Sequence, residues 1–158
     1  MERLSFLGIG PKIARIALPY LAVTIALTYL YPAVFTFGRF LEFPLMVAGF
    51  VVMVIALVFY ISTVRRMLTG IRSNKLVTGG AYRLCRNPLY AVFLLFMIPA
   101  LALLLNSWII LTTSIAGYLV FRKYIYLEEE QLERLFGDEY RNYRTKTSLI
   151  CPNPFHRK

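Results

Sequence analysis

NPLYAVFLLFMIPALALLLNSWIILTTSIAGYLVF, residues Asn87–Phe121, runs 35 residues without a charge. A bilayer core takes about 20 apolar helical residues, so this run is too long for one span. Asn106-Ser107 supplies a natural break, and Trp108 after it fits an interfacial anchor. The reading is a tight helical hairpin.

Working outward, Ile16–Phe37 and Phe43–Val64 are each 22 residues long and uncharged. Each is the length of one span, and Gly38–Phe43 forms the loop between them. At 158 residues, 58% apolar and with a mean hydropathy of +0.61, the chain is one domain too apolar for a soluble core of its size. The sequence predicts an all-α integral membrane protein of about four transmembrane helices in two hairpins, followed by a cytoplasmic amphipathic C-terminal helix. Its parts are an N-terminal hairpin (1–68), a central loop (69–90), a second hairpin (88–127) and a C-terminal helix and tail (127–158). The first apolar run is long and lacks a small-residue cleavage pattern, so it reads as a retained span rather than a cleaved signal.

The net charge of +10 follows this layout. In the four-span arrangement Arg39 alone, of 18 lysines and arginines, falls on the far side. That bias places both termini and the central loop in the cytoplasm, and it suits contact with anionic lipid. Basic residues spread along a membrane face do not predict a nucleic-acid partner. Cys85 and Cys151 both fall on the cytoplasmic side, where thiols stay reduced. They lack metal-ligand spacing, so no metal site is expected.

The polar residues concentrate in the central stretch KLVTGGAYRLCRNPLY, Lys75–Tyr90. Gly79-Gly80 asks for a turn, and Asn87-Pro88 reads as a helix start with Asn at the N-cap and Pro at the first helical position. The fourth span has only 14 apolar residues, Trp108–Phe121, so its helix is expected to continue through Arg122 toward the glutamates. In LEEEQLERLFGDEYRNY, Leu127–Tyr143, Leu132, Leu135 and Phe136 define a buried helix face at about 100° per residue. Glu130 points to water and can pair with Arg134 one turn on. Glu128 and Glu129 fall inside the apolar arc, with Arg122 on the side of Glu129. Two acids on a face meant for burial need partners. Either they hold the tail down on arginines of the central loop, or one faces a polar ligand at the membrane edge.

Leu76-Val77, Gly80, Tyr82, Arg86-Asn87-Pro88 and Tyr90, followed by Arg122, Glu128-Glu129, Leu132, Phe136-Gly137, Tyr140 and Tyr143, resemble the isoprenylcysteine carboxyl methyltransferase family and the wider group of phospholipid methyltransferases. The resemblance runs from about Arg72 to Phe155. It implies an integral membrane enzyme using S-adenosylmethionine without a Rossmann domain, in keeping with the absence of a G-x-G-x-x-G motif. It further implies that Lys75, Leu76, Val77, Gly80, Tyr82, Arg86, Asn87, Pro88 and Tyr90 line the cofactor site. Glu128 and Glu129 would meet the cofactor's polar groups. Eukaryotic members carry His where Asn87 stands and have further spans before the motif.

Arg122, Glu128 and Glu129 are the expected catalytic groups. Arg122 would orient a carboxylate acceptor with two parallel hydrogen bonds, whereas a glutamate would take the proton of an amine acceptor. The expected partners are a lipophilic or prenylated small-molecule or peptide acceptor and membrane lipids. A phospholipid amine, a thiol, a sterol-reductase-like use of NADPH and a non-enzymatic membrane partner are the alternatives.

Overall fold

The structure, a computed structural model, describes residues 8–150. Residues 1–7, and Cys151 with the rest of the tail, lie outside the described residues. Among the described residues the regular structure is helical, with isolated bridges only between Thr36 and Ser107 and between Cys85 and Ser148.

Helix α1, Gly10–Leu30, starts with Pro11 in its first turn and ends at Tyr31, just before Pro32. The residue before a proline is pushed out of the helical region, so the chain breaks there and resumes as the single turn α2, Pro32–Phe35. Helix α3, Glu42–Ser73, runs 32 residues. It extends beyond the apolar run ending at Val64 and carries Arg65, Arg66 and Arg72 outward as helix. Asn74, in the left-handed conformation at φ 51°, stops it.

The first half of the expected second hairpin is a composite rod: α4, Pro88–Val92; a π-helical turn, Phe93–Met97; and α5, Ile98–Leu104. Pro99 cannot donate to the Leu95 carbonyl and its ring crowds that oxygen. Widening the preceding turn relieves the clash, with the Ile98 amide reaching back to the Phe93 carbonyl. The sequence reading did not anticipate this turn. The break at Asn106-Ser107 is where it was expected. Asn106 has φ 49°, and the Ser107 amide donates to the Ala102 carbonyl at 2.8 Å, closing the rod.

Helix α6, Leu111–Phe136, is continuous for 26 residues, so the fourth apolar segment and the glutamates share one helix with no boundary at 127. Gly137 at φ 52° ends it and α7, Asp138–Lys146, follows.

Packing is by small residues. Gly49, Ala56, Thr63 and Gly70 are the buried residues of α3, seven apart; Gly49 lies against α5 and Gly70 against the central loop. A β-carbon at Gly49 would lie 2.8 Å from both the Ala100 carbonyl oxygen and the Leu104 amide nitrogen. Helix α1 packs along α6, where the Thr24 and Thr113 hydroxyls meet at 3.4 Å. The Thr28 hydroxyl donates to its own helix at Thr24 and meets the Ser107 hydroxyl at 2.7 Å. At the end of the bundle remote from the central loop, the Trp108 indole donates to the Val34 carbonyl at 2.9 Å and tilts against Phe35.

Among the described residues two helical runs, Gly10–Leu30 and Arg39–Ser73, are long and apolar enough to cross a membrane. Phe43, Phe50, Val58 and Phe59 stand bare on the outer surface of α3. The central loop and the two ends of the described chain gather at the other end of the bundle.

Candidate functional site

The central loop leaves α3 through a close approach, because a β-carbon at Gly70 would run into the Val77 side chain. Gly80 at φ 65° then opens the short 3-10 turn Gly80–Arg83. Asn87 stands at the N-cap of α4 and Pro88 opens that helix, as expected, but Asn87 makes no side-chain cap. Its amide instead donates to the Leu149 carbonyl at 3.2 Å, so the residue ties down the tail.

Arg86 organises the same junction. Its Nε donates to Glu129 Oε1 at 2.9 Å, and Nη1 donates to the Arg144 and Thr147 carbonyls at 3.0 and 2.5 Å. Its backbone amide donates to the Ser148 carbonyl at 2.8 Å. The Tyr143 hydroxyl donates to the Tyr82 carbonyl at 2.7 Å, and the Ser148 hydroxyl to the Leu84 carbonyl at 3.1 Å. A cation over the last carbonyls of α7 is also favoured by the helix dipole. Glu129 therefore does meet an arginine of the central loop, and Arg144 stands 3.6 Å from its other oxygen. Glu130 pairs with Arg134 at 2.6 Å, one turn on.

Glu128 differs from its neighbour. It accepts from the Tyr90 hydroxyl at 3.1 Å and from the Ile9 amide at 3.5 Å, and among the described residues it has no cationic partner. Burial raises its pKa above the ordinary carboxylate range. The two donors oppose that shift, and the nearby charge of Glu129 adds to it. Gly8, at φ 45°, presses so close that a β-carbon there would sit 2.8 Å from Glu128 Oε2. Burial likewise raises the pKa of Tyr82, which stays a neutral hydroxyl. Tyr140 is buried beside them, its hydroxyl without a hydrogen-bond partner among the described residues.

These groups wall one cavity of about 560 Å³, within the range of small-molecule sites. Of the sequence-predicted residues, Lys75, Leu76, Val77, Tyr82, Arg86, Asn87, Pro88, Tyr90, Glu128 and Glu129 all lie on its wall. Gly80 does not. It packs under the Arg66 side chain, whose Nε a β-carbon would approach to 2.6 Å. Arg122 does not either, and its side chain is exposed. The buried residues of α6, namely Thr113, Gly117, Phe121, Ile125 and Glu129, are spaced by four. Each step of four turns a helix 40° past a full revolution, so the buried stripe winds, and it has not reached the azimuth of Glu129 when it passes Arg122.

The sequence reading missed several parts of the wall. Gly8, Gly10 and Ile13 at the start of α1, Tyr60 and Met67 of α3, and Phe93 all contribute to it. A helix facing a cavity has the same composition as one facing lipid, so these positions carry no signal of their own. Of the face read as buried, Leu132 and Phe136 line the cavity and Leu135 does not.

The fold can be matched directly. The eukaryotic intramembrane Ras methyltransferase, isoprenylcysteine carboxyl methyltransferase, superposes with a TM-score of 0.64 at 23% identity, over 86% of this chain and 50% of that one. The helical bundle therefore shares the fold of that integral membrane protein over most of this chain. Residues 44–139 match the phospholipid methyltransferase family, and the chain belongs to it. The resemblance read from the two motifs is borne out.

Among similar proteins is a rice (Oryza sativa subsp. indica) protein named as a probable protein-S-isoprenylcysteine O-methyltransferase. It is 34% identical over 79 residues, covering 50% of this chain and 41% of the rice protein. The protein-S-isoprenylcysteine O-methyltransferase of Tribolium castaneum is 31% identical over 77 residues, covering 49% of this chain and 27% of its own. The form B enzyme of Arabidopsis thaliana is 31% identical over 79 residues, covering 50% and 40%. The matched part spans well under half the length of each of these relatives.

Proposed function

We propose that this chain is an integral membrane methyltransferase that uses S-adenosylmethionine to methylate a lipophilic acceptor, a carboxylate of the isoprenylcysteine type. Four rods cross the bilayer in this reading: α1, α3, the composite α4–α5 and the first part of α6 as far as Phe121, beyond which α6 continues out of the bilayer and carries Glu128 and Glu129. The cavity lies at the cytoplasmic end, where the basic residues gather. One observation carries the proposal. The cavity is a single space with two chemically different ends. Its polar chamber is walled by the central loop, Glu128, Glu129 and α7, and its apolar arm by α1, α3 and the start of α4.

The chamber fits the cofactor. A ligand bearing ammonium and sulfonium charge suits Glu128, a half-buried carboxylate with no cationic partner among the described residues. Leu76, Val77, Pro88 and Tyr82 offer apolar and aromatic surface for a planar base. When bound, the cofactor supplies an electrophilic methyl group on sulfur. The protein's own task is then alignment and exclusion of water.

Arg122 faces away from the cavity, so it does not orient the acceptor from inside it. Lys75 lies on the wall and is outside the described ion pairs, which leaves it able to take a carboxylate. Tyr82, held neutral by burial, can donate a hydrogen bond. Arg86 and Glu129 close the chamber by fastening α7 to the loop. The close names of the curated relatives and the family match support this chemistry. A lipid amine is a second reading, favoured by Glu128, whose raised pKa suits a group that accepts the amine's proton.

The test is calorimetric titration of the purified protein with S-adenosylhomocysteine, with NADPH as control, followed by transfer of a labelled methyl group to N-acetyl-S-farnesylcysteine. Saturable binding of the first compound and label in a base-labile ester are expected. Binding of NADPH alone would overturn the proposal, and label on phosphatidylethanolamine alone would replace the carboxylate by the amine.

A further inference from the structure

Lys12 of α1 and Lys123 of α6 converge on one aromatic ring. The Lys12 ammonium stands 5.1 Å from the centroid of the Tyr124 ring, and the Lys123 ammonium 5.6 Å from it. The ring itself is fixed, because Tyr124 is half-buried and packs against the core to which Ile9, Ile13 and Ile125 belong. Helix α1 packs along α6, so the first turn of one helix here meets the other as it leaves its uncharged segment. Neither lysine takes part in an ion pair among the described residues. The acids nearest to Tyr124 in the sequence are engaged elsewhere: Glu128 with Tyr90 and Ile9, Glu129 with Arg86, and Glu130 with Arg134.

An aromatic face attracts an ammonium group but carries no net charge to cancel it. Two cations drawn to one ring repel each other, and an anion within reach of both relieves that repulsion. Arg15, one turn on from Lys12, and Arg122, next to Lys123, are exposed and add to the positive field. Their position along the bundle says which anion fits. Lys12 and Arg15 stand just before the uncharged run that starts at Ile16, and Arg122 and Lys123 just after the one that ends at Phe121. With those runs in the hydrocarbon, all four cations sit at the level of the lipid phosphates. A zwitterionic headgroup brings its own ammonium into this field, whereas an anionic one does not.

We propose that Lys12, Lys123 and the Tyr124 ring form a binding site for the phosphate headgroup of an anionic membrane lipid. The ring gathers two flexible side chains within reach of one phosphate, and each ammonium supplies a charge and three donors. Lysine takes phosphate as a point charge, which suits a lipid that arrives by diffusion in the plane and in many orientations. None of the three residues lines the cavity, so the site is separate from the chamber and does not rest on the reaction proposed above. A headgroup held by both lysines fastens the first turn of α1 to α6. Ile9, just before that turn, donates to Glu128, so the lipid steadies one wall of the cavity from outside.

The experiment titrates the whole detergent-purified protein with phosphatidylglycerol and, separately, with phosphatidylcholine, reading the affinity for the first bound lipid by native mass spectrometry. The native protein should prefer phosphatidylglycerol. A basic residue near the surface is worth about fivefold in affinity for anionic lipid, so Lys12→Gln with Lys123→Gln should lower the preference by at least that factor. Lys12→Arg with Lys123→Arg keeps both charges and should retain it, which separates lost charge from lost fold. Tyr124→Phe should also retain it, and Tyr124→Leu should lower it by about twofold. Arg65→Gln with Arg72→Gln, on α3, removes the same charge and should leave the preference nearly unchanged. An equal loss in that control would mean general attraction to the basic face and overturn the site, as would an unchanged preference in the lysine double variant. Displacement of the lipid by millimolar inorganic phosphate would make it a site for soluble anions and overturn the lipid assignment.

Discussion

The guanidinium of Arg86 lies 2.9 Å from the carboxylate of Glu129, and both side chains are nearly buried, at 13% and 11% exposure. This pair joins the central loop to α6, and the remaining donors of Arg86 hold the end of α7 and the residues after it. A buried pair adds little net stability over an apolar alternative, but removing one partner strands the other. Arg86→Ala should destabilise the protein by about 3 kcal/mol, at the lower end of the usual range because Arg144 remains 3.6 Å from Glu129. Arg86→Lys should recover only a small part, since an ammonium cannot span three acceptors in one plane. Denaturation followed by tail-specific proteolysis checks both, and a native-like Arg86→Lys would contradict the geometry.

Glu128 gives a prediction with a definite sign. Its pKa is raised in the folded state, so the folded protein favours the protonated form. That contribution is fully present below the unfolded glutamate value of about 4.3 and is lost as pH rises through the folded value. Glu128→Gln keeps an acceptor for Tyr90 and Ile9 without the buried charge. Its Tm should therefore exceed that of the native protein at neutral pH, and the difference should vanish in acid. Binding of S-adenosylhomocysteine should fall at least tenfold in the same variant, and in the native protein should weaken as pH drops through the raised folded value of Glu128. A variant less stable at neutral pH would sink this account of Glu128.

Lys75 and Arg122 make a contrasting pair. Lys75 lies on the cavity wall, whereas the exposed Arg122 does not. Hydrogen bonds to charged groups are worth about 1.5–3 kcal/mol, so Lys75→Ala should raise the KM for a carboxylate acceptor tenfold or more. Arg122→Ala should leave turnover within about twofold, as exposed substitutions away from a site usually do. The reverse ranking would return the carboxylate to Arg122.

Much of this architecture was legible because the bilayer leaves few choices. Uncharged runs of set length imply rods, Asn106-Ser107 had to be a break, and two acids on the apolar arc of α6 had to find partners. What escaped was whatever depends on the crossing of helices. Arg122 and Glu129 are neighbours on a straight wheel, but the buried stripe of α6 winds, so one faces out and the other in. The π turn before Pro99 required knowing that the rod persists through the proline instead of ending there. The contribution of Gly8 and Ile9 to the site was invisible, since a glycine beside a carboxylate 120 residues away leaves no local pattern. Gly80 was read as a cavity residue when its lack of a side chain makes room for Arg66.

Gly49 tests the seam that positions the site from a distance. Helices α3 and α5 approach so closely there that a methyl group would meet backbone on the opposite rod, 2.8 Å from the Ala100 oxygen and the Leu104 nitrogen. Backbone cannot rotate aside as a flexible side chain can. Gly49→Ala should therefore force the rods apart and cost about 1–3 kcal/mol, the usual range for overpacking. Gly49 shares α3 with the wall residues Tyr60 and Met67, and the central loop leaves from the end of the same helix, so wall and loop both depend on the line of α3. The displacement should accordingly weaken binding of the farnesyl compound more than binding of S-adenosylhomocysteine, which is held mainly by the loop and α6. Paired thermal and dialysis measurements decide it: equal losses for both ligands would mean the substitution acts by general unfolding, and no loss of stability would mean the seam is looser than the contact at Gly49 requires.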